Sequence, residues 1–161
     1  MRILIVSGAG GGTSTKSVGK FFHLKEFGEE LKKHNIEYKL VSESDYVVGF
    51  PTKQLRKYFA TRNKIKKLVN DFKPNLVFID RQGYFGLEIL KMKIPLFVLL
   101  RGHYWSEIEY AKNTIYKNKI MQKVIDSRKK IAEKVFAEST EILPICNYLK
   151  NIVKEYHPKQ K

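Results

Sequence analysis

The sequence predicts an α/β domain in which a parallel β-sheet carries helices on both faces. Two observations lead there. Short apolar, β-branched runs alternate with longer stretches of helical periodicity from one end of the chain to the other. And the first run, RILIVS at residues 2–7, passes through a glycine-rich loop directly into a helical pattern and then a second strand, a β-loop-α-β unit.

Residues 2–7 read as a buried parallel strand stopped by glycines. After the loop at 8–16, residues 17–34 place Phe21, Leu24, Phe27 and Leu31 at helical spacing, which predicts a buried stripe. Residues 36–42 alternate Ile36, Tyr38 and Leu40 with polar neighbours, a strand pattern. A loop at 44–52 leads to a basic helix over 53–72. Its expected buried face is Leu55, Tyr58, Phe59, Ile65, Leu68 and Phe72, and Lys73-Pro74-Asn75 stops it. A strand at 76–80 ends in Asp80. Gly83–Gly86 opens a short helix to about residue 92. The next strand, 95–100, runs into Arg101-Gly102-His103-Tyr104-Trp105. Residues 106–136 form the longest helical stretch, one helix or two, because Asn113 and Asn118 weaken its middle. A strand at 141–145 and a helix at 146–156 follow.

The 161 residues suit one domain, long enough to bury a core without disulfides or metals. With 43% hydrophobic and 29% charged residues, the chain is expected to be globular. Cys146, the sole cysteine, has no partner for an internal disulfide; it is expected to be a small buried residue in a reducing cytosol. The apolar start is too short for a signal peptide. The longest apolar run, 94–100, contains Pro95 and stops at Arg101, well short of a membrane span. The expected location is cytoplasmic, including the cytoplasmic membrane face. The net charge of +15 favours nucleic acid, anionic lipid headgroups or phosphorylated ligands, and is equally explained by general lysine richness.

In parallel sheets ligands sit beyond the carboxyl ends of the strands. Three segments fall there: 8–16, 80–86 and 101–107. Gly8, Gly10, Gly11 and Gly12 leave backbone N–H groups open to a phosphate at a helix N-terminus. The dinucleotide pattern G-x-G-x-x-G fails, ending on Thr13 or Thr15. The P-loop pattern counted from Gly10 keeps Lys16 and Ser17 but has Thr15 where its second glycine belongs.

The order of segments across about 150 residues resembles the N-terminal domain of family 4 glycosyltransferases. The residues that carry the likeness are Gly19-Lys20-Phe21-Phe22-His23-Leu24 on the first helix and Lys73-Pro74-Asn75 before an apolar strand. They continue with Gly86-Leu87-Glu88-Ile89-Leu90, Ile94-Pro95-Leu96-Phe97-Val98, and Ala132-Glu133-Lys134-Val135 before 142–150. Where the family has His-Gly, this chain has Arg101-Gly102 with His103 next, and Cys146 stands at a family serine. The resemblance implies a Rossmann-like domain over 1–156, half of a GT-B fold. Residues 157–161 would then start the linker to a donor-binding C-terminal domain, supplied in cis or as a separate subunit.

The same resemblance implies sugar transfer from a nucleotide-sugar to a glycan or lipid-linked acceptor, with retention of configuration and no cofactor. Arg101 and His103 are the catalytic candidates. Gly10, Gly11, Gly12, Thr13, Lys16, Gly19, His23, Asp80, Gly102 and Trp105 are the binding candidates. His23 is weighed against a satisfied core histidine, and Glu107 and Glu109 are expected to be a solvated helix face. The four histidines show no metal-ligand spacing. The lysines at 53–73 and 112–134, interleaved with Tyr, Phe and Ile, suit an anionic membrane surface. The alternatives are a P-loop-like nucleotide binder that depends on Lys16 and a basic nucleic-acid module. The latter lacks a recognised motif, so no specific nucleic acid is expected.

Overall fold

The computed structural model describes the backbone of residues 1–8, 18–47 and 55–159, and the side chains of all of these except 18 and 55–59. Strands β1 (Arg2–Ser7), β2 (Glu37–Ser42), β3 (Leu76–Ile79), β4 (Leu96–Leu100) and β5 (Glu141–Pro144) form one sheet in the order β2-β1-β3-β4-β5. Every pairing is parallel. The helices are α1 (Val18–Lys33), α2 (Leu55–Phe72), α3 (Tyr84–Lys91), α4 (Tyr104–Thr114), α5 (Lys119–Glu138) and α6 (Asn147–Tyr156). The expected α/β class, a Rossmann-like domain with a parallel sheet and helices on both faces, is the one found.

Alternation along the strands sorts the core into two layers. Leu4, Val6, Val77, Ile79, Leu96 and Val98 face Ile65 and Leu68 of α2, Phe85 and Ile89 of α3, and Val135 and Phe136 of α5. Ile3, Ile5 and Phe78 face Leu24 of α1. The α3 helix lies so close to the sheet that a Cβ on Gly86 would stand 2.8 Å from Ile79 Cδ1 and 3.1 Å from Val135 Cγ1.

Three helices end beside a left-handed residue: Asn35 (φ 59°) after α1, Lys73 (φ 50°) after α2 and Lys93 (φ 58°) after α3. The backbone reversal there frees the chain to enter the next strand. Pro74 follows at the α2 end, where its fixed φ and missing N–H rule out further helix.

Of the two alternatives for 106–136, two helices are found, broken at 115–118, with Asn118 Oδ1 accepting the Ile120 N–H at 2.8 Å to start α5. The asparagine that weakened the helical pattern is therefore a cap. Several expectations are corrected. Phe21 and Phe27 are 38% and 40% exposed, whereas Leu24 is 2%. The apolar stripe on α1 is wider than the strip of sheet it covers. His23 is exposed and sits 3.6 Å from Glu26, so it is not a core histidine. Cys146 is exposed too, because it precedes α6 at the edge of the sheet. Ile65 and Leu68 are buried as expected; the side chains of Leu55, Tyr58 and Phe59 lie outside the described residues. In the expected loop at 44–52, a 3₁₀ turn (Glu43–Asp45) follows β2, and 48–54 lie outside the described residues. No described helix is long and apolar enough to cross a membrane.

The α4 and α5 helices pair antiparallel. Trp105 Nε1 donates to Glu133 at 2.8 Å, Lys112 Nζ meets Asp126 at 2.8 Å, and Arg128 reaches the Tyr116 hydroxyl at 3.4 Å. With 20 residues, α5 is about 30 Å long, against roughly 17 Å for a five-residue strand. Because α5 descends into β5 at the amino edge of the sheet, its first turns overhang the carboxyl edge. The α4–α5 hairpin therefore projects past that edge.

Candidate cleft at the carboxyl edge of the sheet

Strand order reverses between β1 and β3: β1 leads outward to β2, and β3 leads the other way to β4. At such a switch point the connections diverge and leave a crevice beyond the strand ends. An open cleft of about 270 Å³ lies there, lined by Gly8, Lys20, Asp80, Arg81, Gln82, Leu99, Leu100, Arg101, Gly102, Tyr104 and Glu107. Gly8 follows β1, Asp80 and Arg81 follow β3, and Arg101 and Gly102 follow β4. Lys20 comes from the first turn of α1, and Tyr104 and Glu107 from the first turn of α4.

The Gly8 N–H donates to Asp80 Oδ1, tying the ends of β1 and β3 together. A Cβ on Gly8 would stand 2.8 Å from Arg81 Cβ and from Asp80 Oδ1, so a glycine keeps this approach open. Burial pushes the Asp80 carboxyl above its ordinary range. The Gly8 N–H and the charges of Arg101, Lys20 and Arg81 pull it back only in part. Arg101 keeps its Nε buried and without a hydrogen-bond partner among the described residues. Desolvation likewise pushes the Tyr104 hydroxyl far up, so it stays protonated and able to donate. With Lys20, Arg81 and Arg101 against Asp80 and Glu107, the cleft has an excess of one positive charge.

The raised Asp80 value has a consequence for stability. A carboxyl whose folded pKa lies above its unfolded value contributes stability in the protonated state, and that contribution is lost as pH rises through the folded pKa. Ionised Asp80 therefore costs stability at neutral pH. Asp80→Asn keeps an oxygen for the Gly8 N–H and carries no charge. It is expected to melt higher than the wild-type chain at pH 7, with the difference closing below about pH 4, the ordinary aspartate value. Thermal melts of both proteins across that range check this. A variant that melts lower at pH 7 would show that the ion pairs outweigh burial.

Of the residues singled out in the sequence, Arg101, Asp80 and Gly102 line the cleft. Gly10, Gly11, Gly12, Thr13 and Lys16 lie outside the described residues. Gly19 is exposed, with open space around it, next to Lys20. His23 points to solvent one turn further along α1. His103 caps α4, its Nδ1 accepting the Ser106 N–H at 3.2 Å, and its ring lies about 6 Å from those of Trp105, Tyr148 and Tyr156. It does not line the cleft. Since Nδ1 accepts, a neutral His103 carries its proton on Nε2 and is a donor there.

Trp105 is placed in the core at 4% exposure, stacked on Tyr156 at 4.3 Å and bonded to Glu133, away from the cleft. Glu133 also meets His157 Nε2 at 3.1 Å. Glu107 and Glu109 are exposed, as a solvated face should be, and Glu107 also borders the open cleft, where a Cβ on Gly102 would collide with it.

Lys20, Arg81, Gln82 and Tyr104 were not singled out. The available signal was positional: each lies in the first turn or loop after a strand end or glycine loop already marked. Among the described residues no three His, Cys, Asp or Glu side chains come together as a metal site needs.

Comparison with protein families and with curated proteins finds no match. Among solved structures, the chain is similar to UDP-GlcNAc 2-epimerase from Methanocaldococcus jannaschii, with a TM-score of 0.55 and 15% identity. The likeness covers 96% of this chain and 42% of that one, so the chain spans less than half the length of that enzyme. At this identity the likeness speaks for the fold, and it agrees with a Rossmann-like α/β domain.

Proposed function

We propose that this chain is the acceptor-side, N-terminal half of a GT-B enzyme of the family 4 glycosyltransferase type. It would move a sugar from a nucleotide-sugar donor to a glycan or lipid-linked acceptor, with retention. The observation that carries the reading is the cationic cleft at the β1/β3 switch point. It lies at the crevice beyond the strand ends where such folds bind ligands. A structural neighbour that acts on a nucleotide-sugar and is more than twice as long supports the same reading.

In this reading Arg101 and Lys20, which both line the cleft, face the diphosphate, whose charge grows as the sugar–phosphate bond breaks. Gly10, Gly11, Gly12, Thr13 and Lys16, outside the described residues, and Gly19 are the further binding candidates for the same group. Asp80 orients the acceptor hydroxyl, a positioning role worth several orders of magnitude in rate when geometry is held. Gly102 lets the backbone approach the ligand. His103, which caps α4 and does not line the cleft, keeps its Nε2 as a donor only for a ligand that extends beyond the cleft. His23 and Trp105 keep no assigned contact. The donor half, in cis or as a second subunit, supplies the remaining nucleotide contacts.

Two measurements test this. The purified 161-residue chain should transfer no sugar from UDP-GlcNAc to glycan acceptors, because half of the cleft is missing; transfer by the chain alone would overturn the half-site. NMR titration with UDP-GlcNAc should shift the amides of Gly8, Arg81 and Arg101. Shifts confined to the Lys16 region with Mg²⁺-ATP, and none with UDP-GlcNAc, would favour a P-loop-like nucleotide binder instead.

A further inference from the structure

Three rings stand side by side where β4 gives way to α4, against the outer side of α6. The His103 imidazole lies 6.1 Å from the Tyr148 ring and 6.3 Å from the Tyr156 ring, centroid to centroid. The two tyrosines sit near opposite ends of α6, about 12 Å apart along its axis, so they flank the imidazole from either side. Tyr156 is backed by Trp105, stacked on it at 4.3 Å, and Trp105 is fixed in turn by Glu133. Yet Tyr148 is 61% exposed and Tyr156 45%. The His103 Nδ1 is taken by the Ser106 N–H, and its Nε2 is neither enclosed nor bonded among the described residues.

Scattered exposed apolar residues need no explanation; these rings are grouped, held from behind and tipped with polar atoms. Their surroundings sort the ligands that fit them. Helical spacing puts Asn151 and Glu155, both exposed, on the Tyr148 side of α6, and Lys150 and Lys154 on the other side. A nucleotide stacked here would bring its phosphate beside Glu155 and away from those lysines. An apolar protein surface would leave the tyrosine hydroxyls, the His103 Nε2 and the Asn151 amide without partners, at a cost for each. A neutral pyranose satisfies both parts. Its C–H face lies against an aromatic ring, and the hydroxyls around its edge reach the amide, the carboxylate and Nε2.

We propose that Tyr148, His103 and Tyr156 form a shelf on which a neutral pyranose ring stacks, a sugar-binding site next to the cleft and separate from it. His103 stands between Gly102 and Tyr104, which both line the cleft. A sugar chain with one end in the cleft can therefore lay its next ring on the shelf. On the sugar-transfer reading, the shelf then selects oligosaccharide over monosaccharide acceptors. Sugar binding at the shelf does not depend on that reading; only this selection does.

The test is binding of the full chain to an array of immobilised neutral mono- to tetrasaccharides, followed by NMR titration with the tightest binder. The bound sugar is expected to shift the indole N–H of Trp105, the sole tryptophan, through Tyr156, and the side-chain amide of Asn151. Tyr148→Ala should weaken binding at least about ten-fold through the lost stacking area. Tyr148→Phe, which keeps the ring, should retain most of it. Tyr148 is exposed, and unchanged far-UV circular dichroism and melting would show that both variants fold. A wild-type chain that binds no sugar on the array would overturn the proposal. So would binding that Tyr148→Ala keeps in full, because the sugar would then lie elsewhere. Uridine shifting the Trp105 and Asn151 signals where no sugar does would assign the shelf to a nucleobase instead. The sugar-transfer reading is tested apart, by the UDP-GlcNAc shifts of Gly8, Arg81 and Arg101, so either can fail while the other holds.

Discussion

Phe136→Ala is expected to destabilise the protein by about 3–5 kcal/mol, the range for truncating a fully enclosed aromatic. For a domain of this length that lowers the melting temperature by roughly 6–20 °C. Phe136 is 0% exposed and lies on the inner face of α5. Its ring meets those of Trp105 at 5.2 Å, Tyr104 at 5.6 Å and His157 at 5.7 Å. Removing it leaves a cavity walled by large, mutually packed rings and by the sheet, which have little freedom to collapse inward. Phe136→Leu, which keeps most of the volume, should lose less than half as much. Circular dichroism melts followed at far- and near-UV wavelengths check both. A loss below about 1 kcal/mol for the alanine variant would mean that the cluster closes over the gap, a smaller penalty than enclosed aromatics show.

The second large effect is on the cleft. Arg101→Ala should weaken binding of pyrophosphate-bearing ligands by about 10- to 150-fold, the loss of one hydrogen bond to a charged group at about 1.5–3 kcal/mol. Arg101 stands at the end of β4, its Nε is buried without a hydrogen-bond partner among the described residues, and its charge is felt by Asp80. Arg101→Lys keeps the charge and loses the planar fork, so it should fall between the two. Calorimetric titration with UDP-GlcNAc, with pyrophosphate as a competitor, reads the affinities. Equal affinity in all three proteins would remove Arg101 from the anion site. The effect on fold is small, because a partly exposed residue after a strand contributes little to the core.

The strands and the helix ends were legible in the sequence because each is set by local chemistry. Val77, Phe78 and Ile79 form a β-branched and aromatic run closed by Asp80, and Lys73-Pro74 stops α2 whatever surrounds it. The cleft was legible as a region for the same reason: in a parallel sheet the ends of β1, β3 and β4 must share one edge. Which side chains turn into it was not. Arg101 enters while His103, two residues on, turns aside to cap α4, and Trp105 runs into the core to meet Glu133, 28 residues away. That direction is decided by α5 and α6, which periodicity along the strand cannot report. Phe27 and Cys146 were misplaced for a related reason. Burial depends on how much sheet a helix covers and on which side of an edge a loop falls, and neither is written in the spacing of apolar residues.

Parallel pairing also decides what the margins of the sheet offer to other copies of the chain. The outer strands are β2 and β5. The first carries Glu37 and Lys39, both exposed; the second is four residues long and ends in Pro144, which has no N–H to donate. A strand of a second molecule would have to lay its backbone along a charged margin on one side and a short, donor-poor one on the other. Such margins resist ribbon-like growth. A net charge of +15 adds repulsion before two copies touch. Edge-to-edge pairing between copies is therefore disfavoured at both margins of the sheet.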